Sequence, residues 1–219
     1  MVDKSSRERI RTITIAAVGL EGLLGLPFDA KGIVLFAHGS GSGRLSPRNN
    51  FVAQALREDG LATLLFDLLT VEEARDRRNV FDIELLAQRL LMATAWVRQD
   101  AETRDLPVGY FGASTGAAAA LVAAAAHEGP IAAIVSRGGR PDLAGPALPT
   151  VNAPTLLIVG GDDVEVLALN RAALAELRCE KQLVIVPGAT HLFEEPGTLE
   201  AVVEHARGWF LAHFTEAKP

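Results

Sequence analysis

The sequence predicts an α/β fold: a mainly parallel, twisted sheet of about eight strands with helices on both faces. Two observations lead there. Apolar runs of strand length, of the kind expected for strands buried on both faces, alternate along the chain with segments whose apolar residues recur at helical spacing. One of these runs, Val108–Phe111, continues through Gly112-Ala113-Ser114-Thr115-Gly116 into Ala117–Ala126, which is almost all alanine. That is the outline of a strand, a sharp turn and a helix able to lie close on the sheet.

The elements follow in order. After a polar leader over residues 1–10, Thr12–Val18 and Leu20–Leu26 read as a hairpin with its turn near Leu20-Glu21-Gly22, forming one edge of the sheet. Strand runs come next at Gly32–Ala37, Leu61–Phe66, Val108–Phe111, Ile131–Val135, Thr155–Val159 and Gln182–Val186. Helical patterns lie between and after them at Pro47–Glu58, Asp82–Arg98, Thr115–His127, Val166–Leu177 and Gly197–Phe214. In Asp82–Arg98 the positions Ile83, Leu86, Ala87, Leu90, Thr94 and Val97 keep helical spacing. The charged stretch Val71–Arg78 reads as a solvated loop or helical turn, a small role over an active site being its other use. Only a short stretch separates Val135 from Thr155, too short for a helical cap, which predicts an open, shallow site suited to small soluble substrates.

Composition narrows the function. With 219 residues, 49% of them apolar, residues 1–219 suit a single domain with one sizeable core. A net charge of −6 argues against nucleic acid as a partner, because phosphate binding calls for a basic face. Residues 1–10 lack the apolar segment of a secretory signal, and Ala117–Ala126 is too short to span a bilayer. A cytoplasmic protein with no membrane partner is expected. The one cysteine, Cys179, cannot form an internal disulfide, in keeping with a reducing compartment. His127, His205 and His213 lack metal-ligand spacing, so neither a metal nor a cofactor is expected. Oligomeric state is not legible.

Gly-x-Ser-x-Gly between strand and helix is the pattern of a nucleophile elbow: strained backbone raises the serine, and small flanking residues let the helix approach. Serine is a weak nucleophile at neutral pH and needs a base oriented by an acid. The run Pro154–Gly161 ends in Asp162 and Asp163, either of which could be that acid, and Leu183–Val186 leads through a loop to His191. The chain order is therefore Ser114, then Asp162 or Asp163, then His191. After Ile33–Ala37, the loop His38-Gly39-Ser40-Gly41-Ser42-Gly43 suits one donor of an oxyanion hole, assigned to the Ser40 N–H, with the Thr115 N–H as the other. His38 is read as a brace for that loop. The same loop fails as a dinucleotide cradle, since Arg44 stands where a glycine would be needed. Glu194 and Glu195 are read as acids favouring a helix N-terminus. Arg137 and Arg140, after the run Ile131–Val135, either pair with Asp142 or another loop carboxylate, the favoured reading, or hold a substrate carboxylate.

The order of these pieces, with HGSGSG, GYFGASTG, LLIVGGDD and GATHLFEEPG at His38–Gly43, Gly109–Gly116, Leu156–Asp163 and Gly188–Gly197, resembles the dienelactone-hydrolase-like group of α/β-hydrolases over residues 12–215. The resemblance implies an α/β-hydrolase fold without a cap domain, and its Gly-Gly-x-Asp pattern selects Asp163 over Asp162. Enzymes that cleave dienelactone carry a cysteine at the elbow; here the elbow carries Ser114, which points to a serine esterase instead. The expected activity is that of a carboxylesterase or lactonase working on small-molecule esters through an acyl-enzyme on Ser114. The same triad could serve a thioesterase, peptidase, acyltransferase or C–C hydrolase, because fold and triad do not fix the substrate. Outside enzymes, the chain could be a ligand-binding module on a hydrolase scaffold.

Overall fold

A computed structural model of the chain describes residues 8–16 and 18–216. Eight strands form one sheet: β1 (Glu8–Ile15), β2 (Leu20–Pro27), β3 (Ile33–Ala37), β4 (Ala62–Phe66), β5 (Val108–Ala113), β6 (Ala133–Arg137), β7 (Thr155–Gly160) and β8 (Lys181–Val186). Their order across the sheet is β1-β2-β4-β3-β5-β6-β7-β8. β2 is antiparallel to both β1 and β4, and every pair from β4 to β8 is parallel. The helices are α1 (Pro47–Glu58), α2 (Arg77–Val80), α3 (Ile83–Gln99), α4 (Thr115–Ala126), α5 (Val164–Glu176) and α6 (Thr198–Glu216). This is the α/β-hydrolase arrangement that the sequence predicts.

Two corrections concern the N-terminal edge. The first strand begins at Glu8, inside the stretch read as a polar leader; residues 1–7 of that leader lie outside the described residues. Its charges concealed it, because β1 is an edge strand whose outward positions are solvated and whose buried positions begin at Ile13. The turn falls between Ile15 and Leu20, where Gly19 has φ 76° and its N–H bonds Ile15 O at 3.0 Å, and Leu20–Gly22 belong to β2. Elsewhere the boundaries move by a few residues. α1 is capped by Ser46, whose hydroxyl accepts from the Asn49 N–H, and Pro47 opens its first turn.

The core has two halves, one on each face. Leu35, Leu64 and Ile134 pack beneath α3 and α4, while Phe36, Phe111 and Val135 pack beneath α1 and α6. Alternate residues of one strand thus feed different halves. Tyr110 is fully buried on β5, and its hydroxyl meets Thr94 of α3 at 2.7 Å. Among the described residues there is no cap domain. Between β6 and β7, Pro141–Thr150 winds as a 3-10 segment against α4 and α5.

Helix α4 is buried along most of its length, as an alanine-rich helix between sheet, α3 and the 3-10 segment must be. It approaches the sheet where glycines leave room. A Cβ on Gly116 would lie 2.0 Å from Ala37 O, and one on Gly112 would lie 2.4 Å from Ala117 Cα. Both obstacles are backbone atoms. Gly116→Ala is therefore expected to destabilise the fold by about 1–3 kcal/mol, read as a lower urea midpoint at unchanged slope. Gly208→Ala on α6, where the added Cβ meets nothing within 4 Å, should instead stabilise by about 0.5–1 kcal/mol.

Candidate active site

Parallel strands deliver their following loops to one edge, and the residues singled out above all follow strands at that edge. Ser114 comes after β5 and Ser40 after β3; Asp163 follows β7, and His191 follows β8. Ser114 has φ 51° and ψ −122°, a conformation rarely adopted by a residue with a side chain. The turn holds because α4 starts at once: Ala117 N–H bonds Ser114 O at 3.1 Å, and Arg140 N–H bonds the same carbonyl at 3.0 Å.

His191 Nδ1 lies 2.7 Å from Asp163 Oδ2. The carboxylate on the histidine is thus Asp163, while the neighbouring Asp162 is held by its backbone N–H to Ala189 O at 3.0 Å. Asp163 precedes α5 but makes no side-chain bond to that helix, which leaves its oxygens for the imidazole. Its side chain is 14% exposed and that of His191 is 40% exposed. Among the described residues the bond to Asp163 is the only hydrogen bond of the His191 ring, so Nε2 has no partner. A nucleophile–base hydrogen bond commonly tightens only with substrate in place.

The histidine loop is fixed from two sides. Glu195 accepts from the Thr190 hydroxyl at 2.6 Å and from the Thr190 N–H at 3.2 Å, and these bonds lower its pKa. Glu194 accepts from Arg48 Nη1 at 2.8 Å and so ties the loop to α1. The sequence reading gave both acids to a helix N-terminus. Their side chains instead bracket His191, one closing its loop and the other clasping a distant helix.

On the other side, Ser40 and Thr115 line one cavity of about 220 Å³. The Thr115 N–H stands at the start of α4, where no carbonyl of the helix reaches it. His38 braces the loop that carries Ser40. The Leu68 N–H donates to His38 Nε2 at 3.0 Å, which leaves the proton on Nδ1 to be donated to Gly39 O, also at 3.0 Å. Burial pushes the His38 pKa below its ordinary value of 6.5, against the pull of the Gly39 carbonyl and the Asp67 carboxylate. Asp67 also accepts from the Arg44 N–H at 2.7 Å and from the Arg44 guanidinium, and Asn50 Nδ2 bonds Arg44 O at 2.9 Å.

The remaining cavity wall includes the stretch for which a small role over an active site was the second reading. It comes from the segment after β4, where Leu69, Val71, Ala74 and Val80 face the cavity together with Leu86 of α3. The cavity is therefore walled on this side. Val71–Arg78 forms a 3-10 turn at Glu73–Arg75 and enters α2, and its charges hold it in place. Glu73 accepts from the Thr70 N–H at 2.9 Å and from Arg89 of α3 at 2.5 Å. Val71 and Ala74 inside the charged run, with Val80 just after it, were the available signal.

The two arginines part company. Arg140 makes two bonds to Asp142, at 2.9 and 2.8 Å, as the favoured reading had it for one of them. Arg137 is 8% exposed, and its Nε and Nη1 have no partner among the described residues.

Sheet order, elbow and acid–histidine pair together define an α/β-hydrolase, and comparison with known proteins narrows the class. The model of the dienelactone hydrolase family matches residues 20–215, and the chain belongs to that family. A crystal structure of dienelactone hydrolase from Anabaena variabilis is 56% identical, with a TM-score of 0.90, covering 94% of this chain and 98% of that one. Est1E from Butyrivibrio proteoclasticus shares the fold at 17% identity, with a TM-score of 0.78 over 94% of this chain and 99% of its own. A curated protein of Mycobacterium tuberculosis, provisionally named a phosphoribosyl transferase, is 57% identical over 217 residues, 99% of this chain and 49% of that protein. The chain thus spans about half the length of the curated relatives it matches. Among the described residues no helix is long and apolar enough to cross a membrane.

The His38 geometry predicts a pH dependence. Because the folded-state pKa is depressed, the stabilisation from neutral His38 is complete above the unfolded value of 6.5 and is lost as pH falls below it. Urea unfolding at pH 7.5 and 5.5 should show a larger acid loss in the wild type than in His38→Gln, which keeps an acceptor for Leu68 but does not titrate.

Proposed function

We propose that this chain is a serine hydrolase acting on small esters or lactones through an acyl-enzyme on Ser114. The observation that carries the reading is the His191–Asp163 bond at 2.7 Å on the edge where Ser114 stands in a strained turn at the head of α4. His191 Nε2 takes the hydroxyl proton as Ser114 attacks the carbonyl carbon, and Asp163 holds the Nδ1–H tautomer and stabilises the imidazolium. The Ser40 and Thr115 N–H groups receive the developing oxyanion. The protonated His191 then gives its proton to the leaving alkoxide. Water repeats the sequence to free Ser114 and release the acid.

The cavity beside Ser40 and Thr115 supports a small apolar acyl group: its volume is about 220 Å³ and its wall includes Leu69, Val80 and Leu86. The phosphoribosyl-transfer name belongs to relatives about twice as long as this chain, and the present reading rests on the chain's own residues.

A fluorophosphonate probe should label the wild type at Ser114 and leave Ser114→Ala unlabelled, and the variant should lose about 10⁴-fold or more in turnover of p-nitrophenyl acetate. Asp163→Asn should lose about 10²–10⁴-fold, whereas Asp162→Asn stays near wild type. Undiminished turnover in Ser114→Ala sinks the assignment. Ala74→Trp, which narrows the cavity, should lower kcat/KM for p-nitrophenyl butyrate relative to the acetate by about tenfold; an unchanged ratio would place the acyl group elsewhere.

A further inference from the structure

Among the described residues six threonines are buried, and five of them have a bonded hydroxyl. Thr63 accepts from Arg57 Nη1 at 3.1 Å. Thr94 donates to Leu90 O at 2.9 Å, Thr103 to Val97 O at 2.8 Å, Thr155 to Ala153 O at 2.9 Å and Thr198 to Glu195 O at 2.7 Å. Thr115, 3% exposed, is the exception: among the described residues its Oγ1 is buried without a partner. It is also the residue that follows Ser114.

The exception has a local cause. A threonine inside a helix can bond the carbonyl one turn behind it, as Thr94 does. Thr115 is the first residue of α4, so no turn of that helix lies behind it. A hydroxyl buried without a bond is unfavourable, and a valine would fill the same space without that cost. The Ser136 hydroxyl is likewise unpartnered, but it sits in close packing between Gly139 and Ala117: a Cβ on Gly139 would lie 2.0 Å from Ser136 Oγ and 2.5 Å from Ala117 Cβ. Thr115 instead lines the cavity of about 220 Å³, together with His38, Gly39 and Ser40.

We propose that the Thr115 hydroxyl is a third donor to the oxyanion formed on Ser114, beside the N–H groups of Ser40 and Thr115 itself; the role rests on the serine-hydrolase reading. The backbone nitrogen and Oγ1 of Thr115 are separated by Cα and Cβ alone. An oxygen received by the N–H therefore comes within reach of the hydroxyl, whose hydrogen rotates to suit its acceptor. Threonine has two open χ1 rotamers in a helix, which lets Oγ1 turn to the cavity. The bond matters most once the carbonyl carbon has become tetrahedral, because only then does its oxygen carry a full charge. Thr115 keeps its proton throughout and exchanges no atom with the substrate.

Two variants separate the hydroxyl from the methyl. Thr115→Val exchanges the hydroxyl for a methyl group, and its kcat for p-nitrophenyl acetate should fall about tenfold or more while KM stays within about twofold. Its Tm should equal or exceed that of the wild type, because the free protein loses no bond. Thr115→Ser keeps the hydroxyl and loses the buried methyl, so its Tm should fall while kcat stays within about threefold of the wild type. Inhibition by a phenylalkyl trifluoromethyl ketone, whose adduct on Ser114 carries the oxyanion, should weaken in Thr115→Val by about the factor lost in kcat. Unchanged kcat and inhibition in Thr115→Val overturn the donor, and so does a Tm that falls together with its activity, which would mark a structural hydroxyl. A kcat lost equally in both variants overturns it too. A wild type that hydrolyses no ester and takes no fluorophosphonate label overturns the hydrolase reading and the donor with it, whereas a labelled, active wild type matched by Thr115→Val overturns the donor alone.

Discussion

Helix α4 can lie against β3 and β5 only because Gly112 and Gly116 carry no Cβ, and the geometry of the carboxyl edge depends on that contact. The added atoms would fall 2.4 Å or less from backbone, which cannot swing aside as a side chain can. With the helix seated, Ser114 must take a positive φ to turn from strand to helix in one residue. The Thr115 N–H is thereby left at the helix start, beside the loop that follows β3. Strain at Ser114 and close packing along α4 are two aspects of one arrangement. Burial of the alanine-rich helix offsets a local conformation that the serine would not adopt alone.

The loops around this junction are held by polar contacts more than by apolar packing. His38 ties the Gly39 carbonyl to the end of β4, Asp67 holds Arg44, Glu195 closes the His191 loop, and Glu194 joins that loop to α1. Such bonds fix direction as well as distance, which packing alone does not. They also explain why charged residues crowd a region that must admit a small apolar group. Glu73 and Arg89 fasten the segment after β4 so that its few apolar residues can face the cavity. Arg137 breaks this pattern: its Nε and Nη1 have no partner among the described residues, and it lies one strand from the nucleophile.

Much of this was legible beforehand, for identifiable reasons. Val108–Gly116 signals strand, turn and helix within nine consecutive residues of the sequence, because steric demands at an elbow act over a few neighbours. The strand runs were readable because burial on both faces leaves little room for polar residues. β1 was shortened in the reading because an edge strand keeps its charges. The wall formed by Val71, Ala74 and Val80 was only a second reading for a related reason: in and beside a run dominated by Glu and Arg, the direction of three apolar side chains depends on what Glu73 and Arg89 do across space.

The sequence by itself determined the α/β alternation, the elbow at Ser114 and the order in which serine, acid and histidine follow their strands. These depend on local sterics and on the periodicity of apolar residues. Only the tertiary structure decided that Glu194 reaches α1 and Glu195 reaches Thr190, and it supplies the Asp163–His191 and Asp142–Arg140 contacts that the sequence reading had favoured without fixing. Pairing of charges falls steeply with distance, and the distance between residues such as 48 and 194 is set by the whole sheet, not by any stretch of chain.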